Sequence, residues 1–301
     1  MDITDQIKSL KKERNAVILA HNYQLPEVQD IADFVGDSLG LSMTAAGTDA
    51  DLIVFCGVHF MAETAKILSP SKTVLLPDPK AGCPMADMID AEGLEKLQAL
   101  HPHAVTLCYV NTSAEVKAHC DYCCTSGNAL KMVKHILKTH GEIIFIPDKY
   151  LARWVSDQVG HPFITWNGFC PTHARILPED IQRARQLHPQ AKVLVHPECK
   201  PELTALADVV ASTEKMCRFV SDDEAREFII GTEMGIIHRM KKENPAKQFF
   251  PVSERAVCPN MKRITLEKIL WSLQDLTYEI TVPPDIADKA RTSIKRMLEI
   301  V

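Results

Sequence analysis

Short, nearly continuous apolar runs alternate along the chain with longer stretches whose apolar residues recur every three to four positions. The runs Ala16–Ala20, Leu52–Cys56, Thr73–Leu76, Val105–Cys108, Ile143–Ile146, Phe163–Trp166, Lys192–Val195 and Ile229–Ile230 have the length and β-branched content of buried strands. The amphipathic stretches Glu27–Phe34, Ala86–Leu100, Asn128–His140, Pro178–Leu187 and Thr265–Leu276 read as helices. Strands that are apolar on both faces belong to parallel sheets covered by helices, so the predicted class is α/β.

An internal repeat sharpens that prediction. AVILAHNYQLPEVQDIADFVGDS, AVTLCYVNTSAEVKAHCDYCCTS and AKVLVHPECKPELTALADVVAST align without a gap from a strand through the following helix. His21, Tyr109 and His196 then coincide at the strand end, followed two residues later by Tyr23, Asn111 and Glu198. Ser38, Ser126 and Thr213 also coincide. Outside these segments Cys83, Cys170 and Cys258 continue the register at separations of 87 and 88 residues, each followed by proline. The expected architecture is therefore three similar three-layer αβα, Rossmann-like units in a pseudo-threefold arrangement. The expected boundaries are 1–90, 91–177 and 178–274, with segment 275–301, including a strand near Glu279–Val282, packing back on the first unit.

Composition narrows the class of function. The chain has 301 residues, 46% of them hydrophobic and 24% charged, enough to form a large core without a metal or disulfide. Net charge is −5 and no basic block stands out, which argues against nucleic acid and anionic membrane as partners. No apolar run is long enough to cross a membrane, and the charged N-terminus lacks a signal-peptide core, so a cytoplasmic location is expected. No Walker loop or GxGxxG motif occurs.

Ten cysteines in a reducing compartment are buried core residues, catalytic thiols or metal ligands. The three in register do not have the paired spacing of structural zinc sites, and a Cys-Pro step is familiar at iron–sulfur ligands. Three thiolates holding a cubane cluster leave one iron without a protein ligand, free to act as a Lewis acid; buried structural cysteines remain the alternative. His173, three residues after Cys170, is a candidate active-site group or a loop histidine. Cys120, Cys123 and Cys124 form a local HCDYCC motif, but the other repeats carry apolar or small residues there, which favours core packing. Ser38, Ser126 and Thr213 read as helix N-caps, and three helix N-termini facing one axis suit a ligand with several anionic groups. Strand ends of parallel sheets are where ligands bind.

These residues lie in segments that resemble the quinolinate synthase family along nearly the whole chain: AHNYQLPEVQDIADFVGDSL, AGCPMADM, YVNTSAEVKAHCDYCCTSGNA, GFCPTHARI, HPEC, ADVVASTEKM, GTEMGIIHRM and CPNMK. The resemblance implies a 4Fe–4S cluster held by Cys83, Cys170 and Cys258. It implies substrate contacts from His21, Ser38, Tyr109, Val110, Asn111, Ser126, His196, Pro197, Glu198 and Thr213. The implied reaction, in de novo NAD synthesis, condenses iminoaspartate with dihydroxyacetone phosphate to quinolinate, with loss of phosphate and water. A functional link to an iminoaspartate-producing aspartate oxidase or dehydrogenase follows from that chemistry. Tyr23, His196 and Glu198 are the candidate proton carriers, with Tyr109 and His173 beside them. Some members carry a CxxCxxC run at the third ligand; here no cysteine neighbours Cys258. Enzymes that hold a cluster between three domains for reductive chemistry, and a non-catalytic cluster sensor, stay open as alternatives.

Overall fold

The computed structural model describes residues 2–300. Its three sheets have four strands each, and every pairing within them is parallel. The first contains β1 (Ala16–His21), β2 (Phe34–Gly36), β3 (Leu52–Cys56) and β4 (Thr73–Leu75). The second contains β5 (Val105–Tyr109), β6 (Tyr122–Cys124), β7 (Ile143–Ile146) and β8 (Ile164–Thr165). The third contains β9 (Lys192–Val195), β10 (Val209–Val210), β11 (Glu227–Gly231) and β12 (Gln248–Pro251). Strand order is the same in all three: β2-β1-β3-β4, β6-β5-β7-β8 and β10-β9-β11-β12. The expected α/β class and threefold repetition are therefore present. The apolar runs explain the central strands, since β3, β5 and β7 are buried along their whole length.

Every strand expected within the three repeats appears, with Phe163–Trp166 reduced to Ile164–Thr165, while the strand expected near Glu279–Val282 does not form. Four edge strands escaped the periodicity: β2, β6, β10 and β12, of two to four residues each. The expected helix Glu27–Phe34 runs from Pro26 to Ile31, and β2 begins at Phe34. A repeated aspartate accounts for this break. Asp33 accepts a hydrogen bond from the Ile18 amide at 2.8 Å and returns its own amide to the Ile18 carbonyl at 2.9 Å. Asp121 does the same with Thr106, and Asp208 with Val193. Each aspartate bonds the first strand of its unit and turns the chain from helix into edge strand. The motif HCDYCC thus crosses from the end of a short helix into β6 rather than lying in a helix and turn. The expected helix Ala86–Leu100 is divided into a turn at Ala86–Met88 and a helix at Ala91–Leu100, capped by Asp90.

The units interlock cyclically. Helix Pro26–Ile31 of the first meets helix Ile236–Glu243 of the third, where Asp30 pairs with His238 and Lys242. Helix Ala114–Ala118 of the second packs on helix His59–Leu68 of the first, and helix Pro201–Thr204 of the third on helix Lys149–Val159 of the second. The segment after residue 275 bridges two units. The expected strand is a single antiparallel bridge between Leu75 and Glu279, after which helix Pro284–Glu299 covers helix Ala114–Ala118 and β6 of the second unit. Ser293 bonds the Lys117 carbonyl there, and Asn128 bonds the carbonyls of Met297 and Ile300.

Candidate active site

The carboxyl ends of β1, β5 and β9 converge on one cavity of about 160 Å³. Cys83, Cys170 and Cys258 all line it. Each sulfur occupies the same local device. The cysteine carbonyl accepts from the amide four residues on, Asp87 for Cys83, Ala174 for Cys170 and Lys262 for Cys258, closing one helical turn. Proline follows because its fixed φ suits the first position of a turn, where an N–H would have no partner. The turn aims backbone N–H groups at the thiol: those of Met85 and Ala86 at Cys83, of His173 at Cys170, and of Asn260 and Met261 at Cys258. Burial nevertheless dominates and pushes the thiols up, Cys83 to about 12. The Cys83 thiol is close enough to interact electrostatically with both Cys258 and Cys170. Such a set is poorly suited to free thiolates and well suited to a metal group that replaces the thiol protons. The chemistry of the donor set fits an iron–sulfur cluster, with three sulfurs around one enclosed space.

The strand-end histidines share a second device. The Tyr23 amide donates to His21 Nδ1 at 3.2 Å, and the Glu198 amide to His196 Nδ1 at 3.3 Å. An acceptor at Nδ1 fixes the tautomer, so Nε2 carries the proton. His196 Nε2 donates to Ser126 Oγ at 3.1 Å, and His21 lines the cavity. Burial holds both imidazoles near 3, so each is a neutral donor at neutral pH.

Glu198 is the electrostatic centre. Burial alone would raise it; the imidazoles of His173 and His196 and the hydrogen bonds from His173 and Tyr109 outweigh that and hold it at about 2. Its Oε2 lies 2.8 Å from His173 Nδ1. His173 Nε2 lies 2.7 Å from Thr232 Oγ1, which lies 2.5 Å from the Tyr23 hydroxyl. An ionised carboxylate only accepts, so His173 donates to Glu198 through Nδ1. With a proton on Nδ1, Nε2 is the acceptor for Thr232, and Thr232 the acceptor for Tyr23. The result is a directed chain, Tyr23 to Thr232 to His173 to Glu198, running from the first unit through the third and second and back to the third.

Cys170 Sγ, His173 Nδ1 and Glu198 also lie within 4.8 Å of one another, a spacing that suits a single metal ion.

The hydroxyls of Ser38, Ser126 and Thr213 line the cavity, but none occupies the expected N-cap position. Asp37 caps helix Ser38–Gly47, accepting from the Gly40 amide. Asn128 precedes helix Ala129–Ile136, and Ser212 precedes helix Thr213–Asp222. The repeat located the end of the helix correctly, but the side chain that faces the cavity falls beside the cap; there the Ser126 hydroxyl accepts from His196 Nε2 and the Thr213 hydroxyl from Asn22 Nδ2.

Among the remaining sequence candidates, Tyr109 and Asn111 line the cavity, and Asn111 Oδ1 is buried with no partner. Val110 and Pro197 are buried but are not among the wall residues. Thr232 and the wall residues Glu233, Arg175 and Asn260 were missed. Thr232 and Glu233 follow the end of β11, and β3, β7 and β11 end at Cys56, Ile146 and Gly231, which are 90 and 85 residues apart. Those ends fall outside the register that revealed the rest; only their position at a parallel strand end could have flagged them.

Comparison with known proteins agrees along the chain. A family model described as quinolinate synthetase A protein matches residues 5–299. A quinolinate synthase of Thermodesulfovibrio yellowstonii is 56% identical over 298 residues, covering 99% of this chain and 98% of the relative. Those of Dehalococcoides mccartyi strain CBDB1 and Methanosarcina barkeri are 54% and 51% identical over 299 residues, with the same coverage.

Proposed function

The chain belongs to the quinolinate synthetase A family, and on that premise we propose that it is a quinolinate synthase of NAD biosynthesis whose axial cysteines hold a 4Fe–4S cluster. The observation that carries the reading is the convergence of three register-related thiols and a proton chain from three units on one cavity. When bound, the cluster supplies a Lewis-acidic iron without a protein ligand, able to polarise a hydroxyl or hold a carboxylate and nitrogen.

The substrates we assign are iminoaspartate and dihydroxyacetone phosphate. Together they bring two carboxylates and a phosphate. Ser38, Ser126 and Thr213, at or beside three helix N-termini, offer hydroxyl and amide donors to those anions. His21 adds a neutral N–H donor, which binds a carboxylate without a competing proton equilibrium at neutral pH, while the N–H of His196 goes to Ser126 Oγ and leaves that hydroxyl's own proton for the substrate. The unpartnered Asn111 Oδ1 and the Tyr109 hydroxyl orient the substrate's polar groups.

Ring formation requires a proton to leave a carbon of the triose and protons to reach departing hydroxyls. The Tyr23 hydroxyl stands on the cavity wall, and burial keeps it protonated. When Tyr23 takes a proton from a carbon of the triose, its own proton passes to Thr232 and that of Thr232 to His173 Nε2, and ionised Glu198 stabilises the imidazolium that forms; the same path returns the proton to Tyr23, which delivers it to a departing hydroxyl. The low polarity of the enclosed site strengthens each of these contacts.

We also assign the protein to the cytoplasm, beside an aspartate oxidase or dehydrogenase that makes iminoaspartate, and divide it at residues 90 and 177; among the described residues no helix is long and apolar enough to cross a membrane. Anaerobic protein, reconstituted with iron and sulfide and given both substrates, is expected to form quinolinate and release phosphate in equal amounts without added reductant. Turnover only with a reductant would overturn the assignment. A second reading, one metal ion on Cys170, His173 and Glu198, is favoured by their mutual spacing; it predicts one bound ion that survives loss of Cys83.

A further inference from the structure

Glu233 has a fully buried side chain, follows Thr232 and is on the cavity wall. Its Oε1 accepts from the Cys258 amide at 3.1 Å and from Lys262 Nζ at 3.0 Å. Its Oε2 accepts from the Gly235 amide at 2.7 Å. Lys262 reaches on from this carboxylate to donate to the carbonyl of Tyr23 in the first unit. Tyr23 is thus held at both ends by the third unit: its hydroxyl by Thr232 and its carbonyl by Lys262.

A second observation points to the same hub. A Cβ on Gly235 would stand 2.7 Å from Lys262 Nζ, 2.8 Å from Glu233 Oε2 and 3.0 Å from the Tyr23 carbonyl carbon. Glycine is required here by close packing, since its φ of −59° is open to any residue. A backbone, a carboxylate and an ammonium are packed to contact with no room for a methyl group.

We propose that Glu233 and Lys262 are a positioning pair that fixes the Cys258 loop against the backbone of Tyr23, so that the third thiol and the phenol of the proton chain are set by one buried ion pair. The inference rests on the roles given above to Cys258 and Tyr23. The carboxylate is fully enclosed and its partner mostly so, which makes removal of either partner costly, because the other is left with an uncompensated charge. Groups that orient a metal ligand through its backbone or second atom affect metal retention and rate together.

The test uses full-length protein stripped of metal, kept anaerobic and reduced, and treated with iodoacetamide. Mass spectrometry then gives separate alkylation rates for Cys83, Cys170 and Cys258. In Glu233→Gln, Lys262→Met and Gly235→Ala the Cys258 rate is expected to rise about 10- to 100-fold, the opening expected when a hydrogen bond to a charged group is lost, with Cys83 and Cys170 near the parent rate. Lys262→Arg keeps the charge and is expected to restore most of the protection. In iron-loaded protein the same three variants should lose kcat while KM for both substrates stays near the parent value. Lys262 is partly exposed and its Met variant should fold, so it decides the matter if Glu233→Gln does not. A parent-like Cys258 rate in Lys262→Met, or an equal rise at all three thiols, would overturn the proposal. Alkylation requires neither cluster nor substrate, so a parent enzyme that makes no quinolinate would overturn the proposed function and leave this result readable.

Discussion

Cys83, Cys170 and Cys258 are far apart in sequence and meet at one cavity, whereas Cys120, Cys123 and Cys124 are sequence neighbours that pack with Cys108 inside the second unit. The second group looks more like a metal motif and sits in the poorer environment for one. Cys108 and Cys123 are register partners on adjacent strands, with sulfurs 3.2 Å apart and no exposure. Cys120 donates to the Val116 carbonyl and Cys123 to the Ser293 hydroxyl. Burial pushes all four thiols up, and no helical turn aims amides at them as it does at the axial three. The difference teaches that the surroundings of a cysteine, repeated at three places, carry more information than the local spacing of several cysteines.

The largest effect should separate the two groups outright. Serine at Cys83, Cys170 or Cys258 is expected to abolish quinolinate formation, while Cys123→Ser retains it; a steady-state assay on anaerobically loaded proteins reads this directly.

Next comes the proton chain, which exists only around the axial group. Tyr23→Phe, Thr232→Val and Glu198→Gln are each expected to lower kcat by about 10²–10⁴ while a dicarboxylate still binds. Turnover near the parent rate in Thr232→Val would break the chain at its middle link and leave Tyr23 acting alone.

Alanine at Ser38, Ser126 or Thr213 should raise KM about 10- to 150-fold through loss of a hydrogen bond to a charged group. Unchanged KM for both substrates in all three would reduce these hydroxyls to ordinary helix-start residues.

The smallest effect concerns stability. His21 and His196 titrate near 3 when folded and near 6.5 as free side chains, so unfolding takes up protons between those values. Their contribution is complete above about 6.5 and is lost progressively as pH falls toward 3. Glu198 acts in the same direction lower down, losing its contribution as pH falls from 4.5 toward 2. Urea unfolding of metal-free protein at pH 7 and pH 5 should show this loss, and His21→Gln combined with His196→Gln should flatten it.

Much of this arrangement was legible in the chain because the repeat kept one register through the first strand, the helix and the Cys-Pro turn of every unit. His21, Tyr109 and His196 could be placed at strand ends from apolar runs alone, and the central strands are long enough for their pattern to show. The edge strands are too short to carry a period, and β2 begins on the last residue of a predicted helix because Asp33 ends that helix through a contact with Ile18 that lies outside any local pattern. The caps were misplaced because Asp37 competes better than Ser38 for the free amides. Thr232 and Glu233 were invisible because variable loops shift β3, β7 and β11 out of the common register, and because their partners Tyr23, His173 and Lys262 come from other parts of the fold.

The most direct test is the iron and acid-labile sulfide content per chain, measured on anaerobically reconstituted parent and on the Cys83→Ser, Cys170→Ser, Cys258→Ser and Cys123→Ser variants. The account predicts about four irons and four sulfides in the parent and in Cys123→Ser, and loss of the cluster in the other three. Equal loss in Cys123→Ser, or a single ion retained without Cys83 and Cys258, would contradict it.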